Sequence, residues 1–444
     1  MKNIENVYAK TANEVITTLK QTAKGRVKVQ VVENGKVVVD RPWQDNLILN
    51  QGMENLGLSV FTATTQKTAW CELFLHCAAG VGTRNTSVSS GLTTGSYSGG
   101  VFTISGGSYD FTDGLIGVGS LILMTSGVNS GVVMRITGVT DATHVAVVFE
   151  SGSAAATGSF NVYYAQQVGL ESESARQSSY LTGSGNCGSS FASNILTHKR
   201  TFDFSSPVST LNYSELGFAH TSAAGNNLSM RIKLASPVTV TSAQQLRVIY
   251  QLVVTITPAT LTPKTANITG WPVSPAVNTD GNEQWQLPGL SVVSTSGVTG
   301  QFETRSGTIM EPSATGSIGN GSCHIWLSSV STAPVASFTT TPPDRTNGAI
   351  TTQSKAAALS VYTAFSFTRD KTATFLVGDG NILATGITTG GIRSIGIGLD
   401  DGSNNIKAYN TGQTFAFVFA NSQSKDSLHT LTLTFRFTWA RTLA

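Results

Sequence analysis

Val27-Lys28-Val29-Gln30-Val31-Val32-Glu33-Asn34-Gly35-Lys36-Val37-Val38-Val39 is the stretch that decides the fold class. Val27, Val29 and Val31 alternate with Arg26, Lys28 and Gln30, the period-two pattern of a strand with one face in a core. Asn34-Gly35 follows, the pair best suited to a two-residue hairpin turn because both residues accept positive φ. Val37-Val38-Val39 then returns. The same signature recurs along the chain. Val132 to Val148 reads as two strands around Asp141-Ala142-Thr143. Leu246 to Ile256 reads as a long strand closed by Pro258. Leu431 to Trp439 reads as another, with Phe435, Phe437 and Trp439 on one face. Many short strands joined by glycine-rich turns indicate an all-β chain of sandwiches or barrels. No fixed repeat of 20–50 residues appears, which speaks against a solenoid.

One segment reads differently. Ile4, Val7, Tyr8, Ala12, Val15, Ile16 and Leu19 recur at mostly three- and four-residue steps, which predicts a helix over about residues 4–20. Gly25 lies just beyond it. Residues 1–25 are therefore expected to form an N-terminal helical arm. Those seven apolar residues either pack the helix on its own domain or form an assembly face that docks on a neighbouring subunit, since terminal elements exchange readily between chains.

Composition bounds the function. Only 12% of the 444 residues are charged, against about 25% in an ordinary soluble domain. With 28 Lys and Arg against 25 Asp and Glu, the net charge is +3. A dedicated nucleic-acid binder needs a basic stripe, so no nucleic-acid partner is expected. The longest uncharged apolar stretch, Gly114 to Met134, is broken repeatedly by glycine, serine and threonine, so it reads as strands and turns, with no membrane span. Met1 to Asn6 is polar with no apolar run after it, so no signal peptide is expected. Cys71, Cys77, Cys187 and Cys323 form no C-x-x-C or Cys/His ligand pattern and read as free thiols.

Three short internal matches point to a module present twice. Cys71-Glu72-Leu73-Phe74-Leu75 resembles Cys323-His324-Ile325-Trp326-Leu327 at an offset of 323 − 71 = 252. Leu216-Gly217-Phe218 resembles Ile395-Gly396-Ile397 at 395 − 216 = 179, and Asn226-Asn227-Leu228 resembles Asn404-Asn405-Ile406 at 404 − 226 = 178. The first copy therefore carries 252 − 179 = 73 extra residues between Leu75 and Leu216. A self-contained β-segment of about that size stands at 97–165. The expected organisation is an arm (1–25), a first β-sandwich (26–96 plus 166–260), a small β-domain inserted in it (97–165), and a second, related β-sandwich (261–444). Pro258, Pro263, Pro272 and Pro275 mark the linker.

Asp40-Arg41-Pro42-Trp43-Gln44-Asp45-Asn46-Leu47-Ile48-Leu49-Asn50-Gln51-Gly52-Met53-Glu54-Asn55-Leu56 resembles the opening of a group of tailed-phage virion proteins, in which a hairpin precedes an Asn-Leu-Ile…Gly-x-x-x-Leu stretch. Gly80-Val81-Gly82-Thr83 resembles their glycine–threonine loop. Tyr213 to Phe218, Met230-Arg231-Ile232, Pro237 to Val240, Gln244 to Tyr250 and Phe437 to Arg441 resemble the end of the same module. The resemblance implies a structural component of a bacteriophage tail, collar or fibre, with a duplicated β-sandwich module, assembled in the host cytoplasm and resident in the virion. Its implied partners are copies of itself, as a ring or trimer, and other virion proteins. That family supplies no catalytic residues.

The residues themselves point the same way. None of the six histidines falls in H-x-x-x-H or H-E-x-x-H spacing, so no metal is expected. Cys187 in the Gly183–Gly188 turn lacks the helix of a nucleophile elbow. Asp400 and Asp401 point to opposite faces of a strand, and Glu171 and Glu173 have no cleft signature around them, so a glycosidase pair is not expected. Asp400 to Asn405 lacks the calcium-loop alternation, and Gly378 to Asn381 reads as a turn. No cofactor fingerprint is present, and the chain is not expected to be an enzyme. The alternatives are a receptor-recognition protein that holds a host surface glycan through loops of 261–345, with Trp271 or Trp285 as stacking platforms, a capsid decoration protein, and a tail-spike depolymerase.

Overall fold

The structure is a computed structural model, which describes residues 13–57, 70–105, 109–152, 156–183, 185–192, 195–262, 323–328, 353–376, 392–399, 414–423 and 430–443. The chain is all-β apart from one α-helix and one 3-10 helix among the described residues. It begins with β1 (Asn13–Glu33), β2 (Lys36–Asp40) and β3 (Gln44–Ile48), then α1 (Asn50–Gly57), a 3-10 helix (Trp70–Phe74) and β4 (His76–Gly80). Six strands follow: β5 (Ser87–Ser98), β6 (Val101–Ser105), β7 (Leu121–Met124), β8 (Val133–Val139), β9 (His144–Ser151) and β10 (Thr157–Tyr163). Next come β11 (Glu173–Gln177), β12 (Gly188–Ala192), β13 (Ile195–Asp203), β14 (Leu211–Ala219), β15 (Leu228–Val240) and β16 (Gln244–Thr262). The last are β17 (Cys323–Ser328), β18 (Gln353–Ala356), β19 (Ala358–Leu359), β20 (Thr368–Phe375), β21 (Ile392–Leu399), β22 (Thr414–Gln423) and β23 (Leu431–Arg441).

The β1–β2 hairpin forms as the sequence predicts, with φ of 49° at Asn34 and 76° at Gly35. From Asn13 onward the expected helical arm is a strand instead. Val15, Ile16 and Leu19 lie on β1, where Asn13–Ala23 pairs in parallel with β23 and Ile16–Glu33 pairs antiparallel with β16. Val15-Ile16-Thr17-Thr18 is a run of four β-branched residues, which favours a strand over a helix. Ile4, Val7, Tyr8 and Ala12 lie outside the described residues. Pro258 does not close β16 either. Thr18 faces Thr260 and Lys20 faces Thr257, so a bulge absorbs Pro258 and the strand continues to Thr262.

Two runs of seven strands repeat one pairing scheme. In the first run, the order β11-β4-β14-β15 forms one face and β12-β13-β16 another. In the second, β18-β17-β21-β22 and β19-β20-β23 follow the same chain order with the same antiparallel ladders. The registers correct the sequence alignment. Leu216 faces Ala79 and Ile395 faces Leu327, so Ala79 corresponds to Leu327 at 327 − 79 = 248. The match of Cys71–Leu75 to Cys323–Leu327 is thus four residues out of register, since Trp70–Phe74 is a 3-10 helix and β4 is the partner of β17 in this scheme. Ala175 faces Ala79 and Gln353 faces Leu327, which sets β11 against β18 at 353 − 175 = 178. The fall of 248 − 178 = 70 residues lies wholly between β4 and β11.

A closed barrel, β10-β5-β6-β9-β8-β7, occupies that interval. It starts at Ser87, ahead of the expected 97, and ends at Tyr163. Phe102, Phe111 and Phe160 fill it, with Phe102 and Phe160 edge to face at 5.1 Å. In the main body, Tyr250 of β16 meets Phe218 of β14 at 4.2 Å and Phe74 of the 3-10 helix at 4.7 Å. Those rings join the two faces of the first run in one core. Gly25 makes room for Asn46 of β3, its ladder partner, and for Tyr250, because a Cβ would lie 1.9 Å from Asn46 Oδ1 and 2.2 Å from the Tyr250 hydroxyl. Gly25→Ala is expected to lower stability by about 1–3 kcal/mol in urea unfolding, and wild-type stability would refute the packing constraint.

His198 and Arg200 are buried on β13, with the Arg200 guanidinium between the rings of Tyr180 at 4.4 Å and Phe74 at 4.9 Å. Burial, followed by the nearby Arg200 charge, depresses the His198 imidazole to about 3 from its ordinary 6.5. The unfolded chain therefore takes up a proton below pH 6.5 that the folded chain refuses down to about 3, and stability falls with pH across that window. Wild type should lose about 2 kcal/mol more than His198→Leu between pH 7 and 5, measured as the shift in urea midpoint at the two pH values.

Candidate functional site

The most densely bonded polar cluster sits where the chain leaves the main body for the barrel. Glu215 of β14 and Arg231 of β15 form an ion pair at 2.9 Å, with side chains 0% and 1% exposed. The loop between β4 and β5 wraps this pair. Gly82 N–H donates to Glu215 Oε1 at 3.2 Å and Ser172 N–H at 2.9 Å, while Glu171 N–H donates to Oε2 at 3.2 Å. Arg231 donates in turn to the carbonyls of Arg84 and Asn85 at 2.8 and 3.1 Å, and to Gln167 Oε1 at 3.1 Å. Ser214 Oγ and Lys233 Nζ both donate to the Gly82 carbonyl, at 2.5 and 2.8 Å.

The loop's glycines follow from this. A Cβ on Gly82 would lie 2.2 Å from Glu215 Oε1, and one on Gly80 would lie 2.5 Å from the Ser172 carbonyl. Glu171 closes the loop from outside by accepting from the Thr83 and Arg84 N–H groups, which hold its carboxyl below the usual range. Burial lowers the Arg231 pKa, opposed by its bond to Glu215. Segments before and after the barrel, 82–85 and 167–172, are thus locked to the same buried ion pair.

A second cluster ties α1 to the barrel and to the C-terminal strand. Arg441 of β23 donates to the Ile48 carbonyl at 2.8 Å, to Asn50 Oδ1 at 2.6 Å, and to both oxygens of Glu150 on β9 at 3.0 Å. Asn50 donates to the Gly119 carbonyl at 2.8 Å, and Trp439 Nε1 donates to the Met53 carbonyl at 2.9 Å. Glu54 accepts from the Tyr362 hydroxyl at 2.7 Å and from Phe365 N–H at 2.8 Å. Burial raises the Glu54 carboxyl against those two bonds. The Arg135 guanidinium lies 4.1 Å from the centre of the Phe365 ring.

The polar groups of these clusters are taken up by one another. Every oxygen of Glu215 accepts at least two hydrogen bonds, which fills its acceptor positions. Glu173 pairs bidentately with Arg176 at 2.7 and 2.8 Å, and Glu171 is turned to the loop backbone, so the two carboxylates are held by different partners. Cys77 is buried, its thiol pushed well up by desolvation. Cys187 is half-buried. Among the described residues no group of three or more His, Cys, Asp or Glu could hold a metal ion, and no helix is long and apolar enough to cross a membrane. Trp271, Trp285, Gly378–Asn381 and Asp400–Asn405 lie outside the described residues.

Of the arm residues, Val15, Ile16 and Leu19 stand opposite Leu433, Thr434 and Phe437 in the β1–β23 ladder. The sequence reading missed the Glu215–Arg231 pair. Its signal is one charge of each sign inside two adjacent, buried strand segments, Ser214-Glu215-Leu216 and Met230-Arg231-Ile232. No family model, no curated protein and no solved structure matches the chain.

Removing one member of a buried pair strands the other charge, so Glu215→Leu and Arg231→Met should each cost about 3–5 kcal/mol. The double variant should lose much less than the two together. A strictly additive cycle in denaturant unfolding would refute the coupling.

Proposed function

We propose that the chain is a structural component of a bacteriophage particle, in the tail, collar or fibre, that acts by oligomerising and by docking to neighbouring virion proteins. The observation that carries this reading is the place of the phage-like stretch Asp40–Leu56. It forms β3 and α1, and its polar groups are spent on architecture. Asn50 holds the barrel, Glu54 holds the loop before β20, and the backbone carbonyls of Ile48 and Met53 receive Arg441 and Trp439.

The repeated strand order supports a finer reading of the architecture: two related β-sandwiches, with the barrel inserted in the first. β1 would serve both, pairing with β16 along its length and with β23 near its start. Its N-terminal part is then an internal strand, and residues 1–12 are what remains of the expected docking arm. Low charge suits such a protein, since the cores of interfaces are depleted of charged residues.

Two measurements test this. Light scattering should give a mass that is a multiple of 46.5 kDa, and deletion of residues 1–12, which leaves β1 whole, should weaken assembly. Gold-labelled antibody against the chain should mark one fixed position on intact phage particles. A monomer at every concentration, with particles left unlabelled, would overturn the proposal.

A further inference from the structure

We propose that β2 is a self-association edge, through which two copies of the chain pair antiparallel about a two-fold axis at Val38. The inference rests on the reading of the chain as a self-assembling protein and names one surface by which it does so.

Among the described residues β2 pairs with β1 alone, so its far edge carries backbone donors and acceptors with no partner among them. Val31 faces Val39 and Val32 faces Val37, which leaves Val38 outside the ladder as a bulge. Val37 and Val38 are 45% and 49% exposed, an adjacent apolar pair on an open strand edge. Soluble proteins guard such an edge with charges along it, with short strands or with bulges, and β2 is short and bulged at Val38. Here the charges stand only at its two ends, Lys36 and Asp40, and they are of opposite sign.

That arrangement selects the occupant. In an antiparallel pair centred on Val38, Val37 of each copy faces Val39 of the other, and Lys36 of each faces Asp40 of the other. Lys-Val-Val-Val-Asp is thus complementary to itself in this one orientation, whereas parallel pairing would set like charges side by side. Lys36 is exposed and has no ion-pair partner among the described residues. Asp40 is bound by Lys28 at 2.8 Å and by Gln30 at 3.0 Å, yet its side chain is 49% exposed. A carboxylate has about four acceptor positions, so about two remain for a second copy. A two-fold contact of this kind closes at two copies, and in a cyclic assembly it joins two rings back to back.

The test uses the full chain and a charge exchange. Lys36→Asp places two carboxylates opposite each other in a self-pair, and Asp40→Lys places two ammonium groups opposite each other. Each variant alone should weaken self-association by about tenfold or more in sedimentation equilibrium. An equimolar mixture should recover it, because every cross-pair then has opposite signs. Near-ultraviolet circular dichroism checks that each variant keeps its fold, and Val38→Lys serves as an independent disruptor of the same edge. If wild type associates and none of the three substitutions weakens it, the edge is wrong while the assembly reading stands. Weakening without recovery in the mixture overturns the self-pairing. A wild type that never associates overturns both.

Discussion

The antiparallel pairing of β1 with β16 runs from Ile16 opposite Thr262 to Glu33 opposite Gln244, interrupted by one bulge. Each remaining part of the main body is placed by it. Along the far half of β1 the ladder is flanked by β3 and β2 on one side, and β13 pairs with β16 on the other. Along the near half, β23 takes the flank that β3 and β2 leave, and it brings β20 with it. The bulge at Pro258 falls within the near half, inside the stretch of β1 that pairs with β23 and beyond the last β13 partner at Thr255. A proline that would end an ordinary central strand is absorbed there by the extra residue, and the ladder runs on.

Much of the fold was legible because local chemistry and tertiary context agree. Asn34-Gly35 has one good conformation, and the fold uses it. The alternation of Val27, Val29 and Val31 survives because one face of β1 is buried there and the other is wet. The misreadings have physical causes. Val15, Ile16 and Leu19 all pair with β23 in parallel, and the strands of parallel pairs read as near-continuous apolar runs more often than as clean alternation. Their spacing then imitates a helix, although the β-branched run Val15–Thr18 argues otherwise. The four-residue slip at Cys71 arose because a short apolar string carries no register, and only the ladders Leu216–Ala79 and Ile395–Leu327 supply one.

The site was less legible than the fold. Glycine and threonine in the loop at 80–83 stood out, but the reason for them did not, because it lies 133 positions further on in the Glu215 carboxylate. Burying an ion pair costs desolvation that only further hydrogen bonds offset. Here those bonds come from backbone N–H and C=O groups of segments on both sides of the barrel. Composition cannot show such a cluster. It depends on which loop a fold brings over a charged pair.

The barrel's two chain ends have a further consequence. Tyr163 faces Ser87 directly across a ladder, so the chain leaves the main body and returns to it one strand spacing apart, about 4.8 Å. The second strand run spans the same topological interval, from Ser328 to Gln353, with 70 fewer residues. The strand pairing of the body therefore requires only that those two ends meet, whatever the length of chain between them. The barrel's own grip on the body is separate and rests on side chains, Glu150 on Arg441 and the Gly119 carbonyl on Asn50.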